Sequence, residues 1–171
     1  MMAADGRMMM IAPGEGEVVL RGGFGVVRKI PAAATGGAFS VVEHPLEPGA
    51  LAAPPHTHAT TDEYSFVIEG EIGVLMGEET FRAPAGSYVL KARGVPHTFW
   101  NPGQEPARVL EIISPAGFER YFEELAAILS STPPGRPPDF ARISETAGRY
   151  DTTFHMERLP EIMDKHGVEL R

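Results

Sequence analysis

The sequence contains no cysteine among its 171 residues, which excludes a disulfide framework, an iron–sulfur cluster and catalysis by a thiol. Positive charge is also scarce, because 15 lysines and arginines stand against 23 aspartates and glutamates. Nucleic acids and anionic membrane surfaces both require clustered cations. No run approaches the ~18 apolar residues of a membrane-spanning helix. We therefore expect a cytoplasmic protein that binds neither nucleic acid nor a membrane.

Glycine and proline are abundant, with 19 and 16 residues, and they favour many short elements joined by turns. Short apolar runs with turn signals every ~8–12 residues predict an all-β sandwich or barrel over the first two thirds of the chain. The predicted strands cover residues 18–20, 24–28, 39–43, 64–69, 71–76, 79–83, 88–91, 97–100 and 108–113.

The pattern becomes helical after residue 114. Ser114 and Pro115 are of the residue types that occupy an N-cap and the first position of a helix. An apolar stripe at helical spacing then runs from Phe118 to Leu129. Two further short helices are predicted over residues 139–147 and 160–166.

These patterns divide the chain into three parts. The predicted parts are a flexible N-terminal leader over residues 1–16, a β-barrel domain over residues 17–114 and a C-terminal helical appendage over residues 115–171. Acidic and basic side chains are balanced within residues 136–171, so no basic face for nucleic acid results. We expect the appendage to pack against the barrel or to hold a dimer together.

Two histidines near the middle of the chain lie two positions apart. His56 and His58 would leave the same face of a strand, with their Cα atoms ~6.6 Å apart, a span that two imidazoles can close onto one metal ion. Glu63 would lie on the opposite face of an uninterrupted strand. Residues 59–62 are polar enough to form a turn, which would return Glu63 to the same side as the histidines.

A third histidine, His97, follows a predicted turn over residues 94–96. Together with His56, His58 and Glu63 it would complete a set of three imidazole nitrogens and one carboxylate. This donor set suits one divalent transition-metal ion per chain, such as iron, manganese, nickel, cobalt, copper or zinc. Four protein ligands leave up to two positions of a six-coordinate ion open for water, dioxygen or a chelating substrate.

The two segments resemble the two sequence motifs of the cupin superfamily. The first reads Gly49-x6-His56-x-His58-x4-Glu63-x6-Gly70 and the second reads Gly86-x5-Ala92-x-Gly94-x2-His97-x3-Asn101. The family usually has five residues, not six, before the first histidine, and proline at the position of Ala92. Neither departure touches a ligand. The resemblance covers residues 39–113, with the short spacing between motifs of a small single-domain cupin.

By this resemblance the chain forms a jelly-roll β-barrel, with His56, His58, Glu63 and His97 as metal ligands inside its mouth. The ligand set is similar to that of small quercetin-dioxygenase-like cupins, in which the enolate of the substrate chelates the metal. The resemblance implies an oxidoreductase of the quercetin 2,3-dioxygenase type acting on a small enolisable or aromatic molecule, with Glu63 able to leave the metal and accept a proton. A non-catalytic metal-organised small-molecule-binding cupin and an isomerase or epimerase are the alternatives.

Strand alternation suggests which side chains line the pocket, although ordinary core packing would explain the same residues. The candidates are Phe99, which shares a face with His97, and Phe39, Val41, Met76 and Tyr88. The other three histidines, His44, His155 and His166, are expected to have surface or structural roles.

Alternation also predicts that Tyr64, Phe66 and Ile68 face outwards together from one strand. Leaving such side chains unburied costs ~1.5–3 kcal/mol each, so we expect another element to cover them. The N-terminal strand, the stripe between Phe118 and Leu129 and a second subunit are candidates, and we favour a homodimer.

Overall fold

The computed structural model describes residues 9–133 and 135–171. The strands in this part of the chain are β1 Glu17–Leu20, β2 Val26–Ile30, β3 Ser40–Leu46, β4 Ala50–Leu51, β5 His56–His58, β6 Asp62–Glu69, β7 Glu71–Met76, β8 Glu79–Pro84, β9 Tyr88–Lys91, β10 His97–Trp100, β11 Ala107–Ser114, β12 Thr152–Phe154 and β13 Glu169–Leu170. The helices are α1 Glu119–Ser131, α2 Phe140–Gly148 and α3 Leu159–His166, with short 3-10 turns at Ala32–Thr35 and Met156–Arg158.

The strands form two sheets. The first has the order β1-β2-β3-β11-β6-β9, and every neighbouring pair is antiparallel. In the second sheet, β10 pairs with β7 on one side and with β5 and β4 on the other. Within the described residues no hydrogen-bonded ladder joins the two sheets. The fold is therefore mostly β, as predicted, but it consists of two facing sheets and not of a closed barrel.

The main core lies between the sheets because alternate residues of each strand point inwards. In β11 the odd-numbered residues from Ala107 to Ile113 point inwards and are buried, whereas the even-numbered residues are half-buried. Val74 and Phe99 belong to the same core from the second sheet. Burial of a large apolar side chain stabilises the fold by ~1.5–3 kcal/mol.

A second, smaller core lies between β10, β7 and the last helix. Trp100, Leu51 and Leu75 pack there against Ile162 of α3. The indole fits closely over Gly73 of β7, since a Cβ atom at that position would lie 2.2 Å from Trp100 Cε2. This contact explains why β7 has a residue without a side chain at its centre.

The nine predicted strands are all found within a few residues of their predicted bounds. The strands that the sequence did not predict are β4, β5, β12 and β13. Each is two or three residues long, which is too short to leave a recognisable alternation of apolar and polar residues.

The three predicted helices are also found, but the predicted start of the first is wrong. Ser114 is the last residue of β11, where it pairs with Asp62 of β6, and its hydroxyl donates to the carbonyl of Ala38 (3.0 Å). The strand ladder thus takes the residue that the sequence assigned to an N-cap, and α1 begins at Glu119. None of the helices in the described residues is long and apolar enough to cross a membrane.

The C-terminal region contributes strands as well as helices. β12 pairs antiparallel with β5, and β13 pairs parallel with β4, so residues beyond 150 extend the second sheet at two places. Ile143 and Ala147 of α2 are buried in the main core. Residues 1–8 of the predicted leader lie outside the described residues.

Candidate metal centre

Three histidines and one glutamate meet in the space between the sheets. His56 and His58 are the two ends of β5, Glu63 is the second residue of β6 and His97 is the first residue of β10. One possible ligand atom from each residue lies within 4.8 Å of the others. All four side chains are buried. The structure therefore brings together the four residues that the sequence proposed as ligands.

Backbone pairing places these side chains. His97 is the direct partner of His56 across β10 and β5, so the two rings leave the sheet on the same face. The chain bends at residues 59–60, between β5 and β6, which returns Glu63 to that face. Gly94 adopts a φ of +77°, and its N–H donates to the carbonyl of His58 (2.8 Å). This bond ties the turn before β10 to the end of β5.

Two of the imidazoles are held through their Nδ1 atoms by backbone carbonyls. Nδ1 of His56 lies 2.9 Å from the oxygen of Pro54, and Nδ1 of His97 lies 2.9 Å from the oxygen of Val95. A carbonyl oxygen only accepts, so each Nδ1 atom carries the proton that it donates. The Nε2 atom of each ring is therefore left with a lone pair that can bind a metal ion.

His58 is held in the same way by a hydroxyl group. Its Nδ1 atom lies 2.8 Å from Oγ1 of Thr152 on β12, and that hydroxyl donates its own proton to the carbonyl of Tyr150 (3.1 Å). Nδ1 of His58 is thus the donor, and its Nε2 atom has the lone pair. No sequence motif pointed to Thr152, which lies 94 positions along the chain from His58.

The three Nε2 atoms converge without hydrogen bonds to satisfy them. Within the described residues, Nε2 of His58 and Nε2 of His97 are buried and have no hydrogen-bond partner. The imidazole rings of the three histidines lie 4.5–5.3 Å apart, centre to centre. Lone pairs gathered this closely in a buried space repel one another unless a cation lies between them. The donor set and its orientation fit a divalent metal ion.

Burial and the neighbouring His97 and His58 hold the pKa of His56 well below its ordinary value. The ring is therefore neutral at neutral pH, which is the form that binds a metal ion. Burial alone would raise the pKa of Glu63, but the ammonium group of Lys91 holds it well below its usual range. Glu63 is thus an ionised carboxylate beside the neutral imidazole of His56.

A buried lysine lies beside this carboxylate. Lys91 is the direct partner of Glu63 in the pairing of β9 with β6, and its Nζ atom lies 2.8 Å from Oε2 of Glu63. The same Nζ atom also contacts Oε1 of Glu111. Burial alone would lower the pKa of Lys91, but Glu111 and Glu63 raise it. Both oxygens of Glu63 face a histidine: Oε1 lies 3.2 Å from Nε2 of His58, and Oε2, which the ammonium group contacts, lies 3.3 Å from Nε2 of His97.

Glu111 leads from Lys91 to a fourth buried histidine. Nε2 of His44 lies 3.2 Å from Oε2 of Glu111, although not in a direction that makes a hydrogen bond. Nδ1 of His44 lies 3.0 Å from the carbonyl oxygen of Gly25. The hydroxyl of Ser65 donates to Oε1 of Glu111 (2.7 Å). A row of polar side chains thus runs through the interior from the metal-ligand cluster to His44.

The prediction of a surface role for His44 is wrong, because its side chain is 1% exposed. The even-numbered residues of β3 point inwards, and His44 stands between the buried Val42 and Leu46. The exposed Pro45 and the half-buried Glu43 give the opposite face of the strand, so this alternation was a usable signal. Of the other two histidines, one forms a hydrogen bond with a threonine of β5 and the other packs on an indole. These contacts are Nε2 of His155 to Oγ1 of Thr57 at 2.7 Å, and His166 on Trp100 at 4.3 Å between ring centres.

A cavity of about 490 Å³ lies against this polar row. Its wall includes His56 and Glu63 of the metal-ligand cluster, and it also includes His44 and Glu111. The rest of the wall is largely apolar, with aromatic side chains from both the β domain and the C-terminal region. These aromatic residues are Phe24, Phe99, Phe118, Tyr121, Phe122, Phe140 and Phe154.

Of the residues proposed for the pocket, Phe99 lines this cavity. Tyr88 is 82% exposed and Phe39 is 37% exposed, so neither belongs to the wall. Val41 is buried and Met76 packs against the main core, but both stand apart from the cavity lining. The side chains directed to the interior are the even-numbered ones in β3 and the odd-numbered ones in β9, whereas the pocket candidates Val41 and Tyr88 have the other parity.

A family model of the cupin domain matches residues 42–113. The matched segment begins in β3, ends in β11 and contains His56, His58, Glu63 and His97. Residues 42–113 therefore form a cupin domain. The sequence resemblance is confirmed at this level, whereas none of the comparisons points specifically to quercetin dioxygenases.

Solved cupin structures are similar to this chain over somewhat more than half of its length. The polyketide cyclase RemF from Streptomyces resistomycificus is 20% identical, with a TM-score of 0.56 over 63% of this chain and 79% of the cyclase. Oxalate decarboxylase from Bacillus subtilis, which has Mn(II) centres, is 22% identical, with a TM-score of 0.52 over 58% of this chain and 28% of the decarboxylase. These similarities support the fold.

A sugar phosphate isomerase of the cupin superfamily from Silicibacter pomeroyi is 27% identical, with a TM-score of 0.49 over 54% of this chain. The matched region spans 59% of the length of that isomerase. No curated protein matches the sequence.

Proposed function

We propose that the cupin domain binds one divalent transition-metal ion through the Nε2 atoms of His56, His58 and His97 and through Oε1 of Glu63, and that the protein is a metal-dependent enzyme. The observation that supports this proposal is the convergence of three buried imidazoles and one carboxylate, with one candidate ligand atom of each within 4.8 Å of the others, beside a cavity. Iron, manganese, nickel, cobalt, copper and zinc all suit such a donor set.

The cavity favours a small aromatic or enolisable substrate. Its walls carry flat aromatic side chains, among them Phe24, Phe99 and Phe122, which can stack on a planar ring. The metal-ligand residues His56 and Glu63 lie at its edge. An apolar ligand in this cavity would thus present an oxygen to the metal centre while its body is removed from water.

As the reaction we propose dioxygenation of the quercetin 2,3-dioxygenase type, in which both atoms of dioxygen enter the substrate. A bound redox-active ion would supply the Lewis acidity and the dioxygen chemistry. Glu63 would leave the ion and accept the proton of an enolisable hydroxyl group on Oε1. Lys91 would keep that carboxylate ionised, because its ammonium group contacts Oε2.

Oxygen consumption with a panel of flavonols and 1,3-diketones tests this proposal. We expect uptake with one member of the panel, incorporation of two ¹⁸O atoms from labelled dioxygen, and loss of turnover in Glu63→Gln with most of the metal retained. A variant outside the centre, Thr153→Val on the exposed face of β12, is the control and should keep its activity.

Two other outcomes would contradict the proposed reaction but leave the proposed metal site unchanged. Conversion of a substrate without oxygen and without a change of mass would identify an isomerase or epimerase. Ligand-induced thermal stabilisation without any product would identify a non-catalytic binding protein. Absence of bound metal in the protein as purified and after incubation with each of the six ions would overturn the proposal as a whole.

We also propose that the protein is a homodimer. The outer face of β6 and β9 carries Tyr64, Tyr88 and Leu90, which are 44%, 82% and 55% exposed, and β9 is the last strand of its sheet. α1 does not cover this face, because its Phe118 and Phe122 line the cavity. A mass of ~18.5 kDa by light scattering at micromolar concentration would contradict a dimer. If the wild type is a dimer, Tyr88→Glu should shift the equilibrium towards the monomer. The jelly-roll topology and the cytoplasmic location remain predictions.

A further inference from the structure

The cavity wall includes a buried histidine that belongs to no metal-ligand motif. His44 is 1% exposed, it lines the cavity, and within the described residues its Nε2 atom has no hydrogen-bond partner. A buried polar atom without a hydrogen bond costs ~1–3 kcal/mol of stability. Such a group in a cavity wall indicates an atom that receives its partner from a ligand.

The protonation of this ring follows from its two neighbours. Nδ1 lies 3.0 Å from the carbonyl oxygen of Gly25, so Nδ1 donates and carries a proton. Nε2 lies 3.2 Å from Oε2 of Glu111. The contacts of Lys91 and Ser65 with the Glu111 carboxylate favour its ionised form. An ionised oxygen at that distance would repel a lone pair on Nε2, so the favourable state places a proton on Nε2 as well.

The walls around His44 restrict the shape of the partner. Its ring stacks on Phe24 at 4.8 Å between centres, and it contacts Phe99 and Phe122 at 6.0 and 5.5 Å. A group that reaches Nε2 must therefore pass between aromatic faces. A flat apolar molecule with an oxygen acceptor at its far end meets this condition.

We propose that His44 is a binding residue whose Nε2–H donates to an acceptor oxygen of a ligand in the cavity. Glu111 positions the imidazole and keeps the proton on Nε2. The ligand class is thus an aromatic molecule with a carbonyl or oxyanion oxygen that is not the oxygen bound to the metal. This inference rests on the proposed function only in that the cavity is the ligand site, and it does not require the metal.

The test compares two probes of the same shape, the ketone 2-acetylnaphthalene and the hydrocarbon 2-ethylnaphthalene, by calorimetric titration of the full chain. We expect the wild type to bind the ketone about tenfold more tightly, as one net hydrogen bond of ~1.4 kcal/mol gives. His44→Asn can keep the bond to the Gly25 carbonyl but has no group at the position of Nε2, and should lose this preference. His44→Gln places an amide near that position and should keep part of it.

Two further variants separate this inference from the proposed function. His166→Gln, on α3 outside the cavity lining, is a matched histidine control and should leave the preference unchanged. His97→Ala, which removes a metal ligand, should also leave it unchanged. A preference that disappears in His97→Ala and survives in His44→Asn would overturn the inference and place the ketone oxygen on the metal. Equal binding of both probes by the wild type would overturn it as well.

Nuclear magnetic resonance decides the question if His44→Asn does not fold. In wild-type protein labelled with ¹⁵N-histidine, and with His44→Gln used for assignment, the ketone should shift the Nε2 resonance of His44 and the hydrocarbon should not. An unchanged Nε2 resonance with bound ketone would contradict the inference.

Discussion

Replacing Lys91 by methionine removes a buried positive charge that lies between two carboxylates while keeping a similar side-chain volume. Nζ of Lys91 lies 2.8 Å from Glu63, contacts Glu111 and stands 4.6 Å from the ring centre of Phe99. Removal of one partner from a buried charge pair costs ~3–5 kcal/mol, because the remaining charge is left without compensation. For a chain of this length, that loss corresponds to a decrease of ~6–20 °C in the melting temperature.

The loss should be smaller when the metal site is filled. A divalent ion beside Glu63 would supply positive charge that the variant no longer has, so metal-loaded Lys91→Met should lose less stability than the metal-free protein. By thermodynamic linkage, the difference between the two losses equals the gain in metal-binding free energy, and each 1.4 kcal/mol of it means ~tenfold tighter binding. Urea unfolding with and without zinc, together with competition titrations of zinc, measures both sides of this equality.

A half-buried surface lysine provides the control. Nζ of Lys29 lies 3.4 Å from Oε2 of Glu43, and Lys29→Met should cost less than ~1 kcal/mol. Adding Glu111→Gln to Lys91→Met should restore part of the stability, since it removes one of the uncompensated charges. If metal-free Lys91→Met were as stable as the metal-free wild type, or if the variant bound zinc more weakly than the wild type, the interior charge arrangement described above would be wrong.

Three other changes have definite expected results. Thr152→Val removes the acceptor of the His58 Nδ1 proton and should weaken metal binding ~10–100-fold. Thr153→Val changes the exposed neighbouring residue and should have no effect. Equal zinc affinities of the two variants in a titration would contradict the role of the Thr152 hydroxyl. Gly73→Ala should lower the free energy of unfolding by ~1–3 kcal/mol, because the added methyl group would be overpacked against the indole of Trp100. Gly148→Ala, which has no atom near its Cβ position, should leave the stability unchanged. Chemical denaturation of both variants measures the difference. Without metal, the contribution of His56 to stability should be complete above pH ~6.5 and should decrease below it. In the unfolded chain this histidine has an ordinary pKa of about 6.5 and binds a proton, whereas folded His56, with its lowered pKa, does not. A denaturation midpoint that is constant from pH 7 to 5 would contradict this prediction.

The four ligand positions could be predicted from the sequence because a metal restricts residue types and spacing together. His56 and His58 share a strand face, and a polar turn before Glu63 restores its side. The register that makes His97 the direct partner of His56 depends on pairing between distant strands. The order and spacing of the motifs were sufficient to assign the four ligands only together with the family resemblance.

The interior charges could not be predicted in the same way. Alternation places Glu111 on the inward face of β11 between Val109 and Ile113, and Lys91 follows the buried Val89 in β9. A single sequence does not show which buried charge compensates which, because the partners come from different strands. Because lysine and glutamate are mostly found on surfaces, the alternation alone did not identify Lys91 and Glu111 as buried residues.

The contribution of the C-terminal region was hidden for a different reason. Thr152 holds His58, and Phe154 packs on His56 with 5.9 Å between ring centres. Both belong to β12, a strand of three residues that has no periodicity of its own. Its place beside β5 is set by long-range pairing, so the sequence indicated helices here and not a wall of the metal centre.

A crystal structure of the metal-loaded protein, with anomalous diffraction data at the absorption edge of the bound ion, tests the central claim most directly. The account predicts one anomalous peak per chain, ~2.0–2.2 Å from Nε2 of His56, His58 and His97 and from Oε1 of Glu63. A fully occupied ion at any other position, or a protein that crystallises without anomalous signal between these four side chains after saturation with metal, would contradict it.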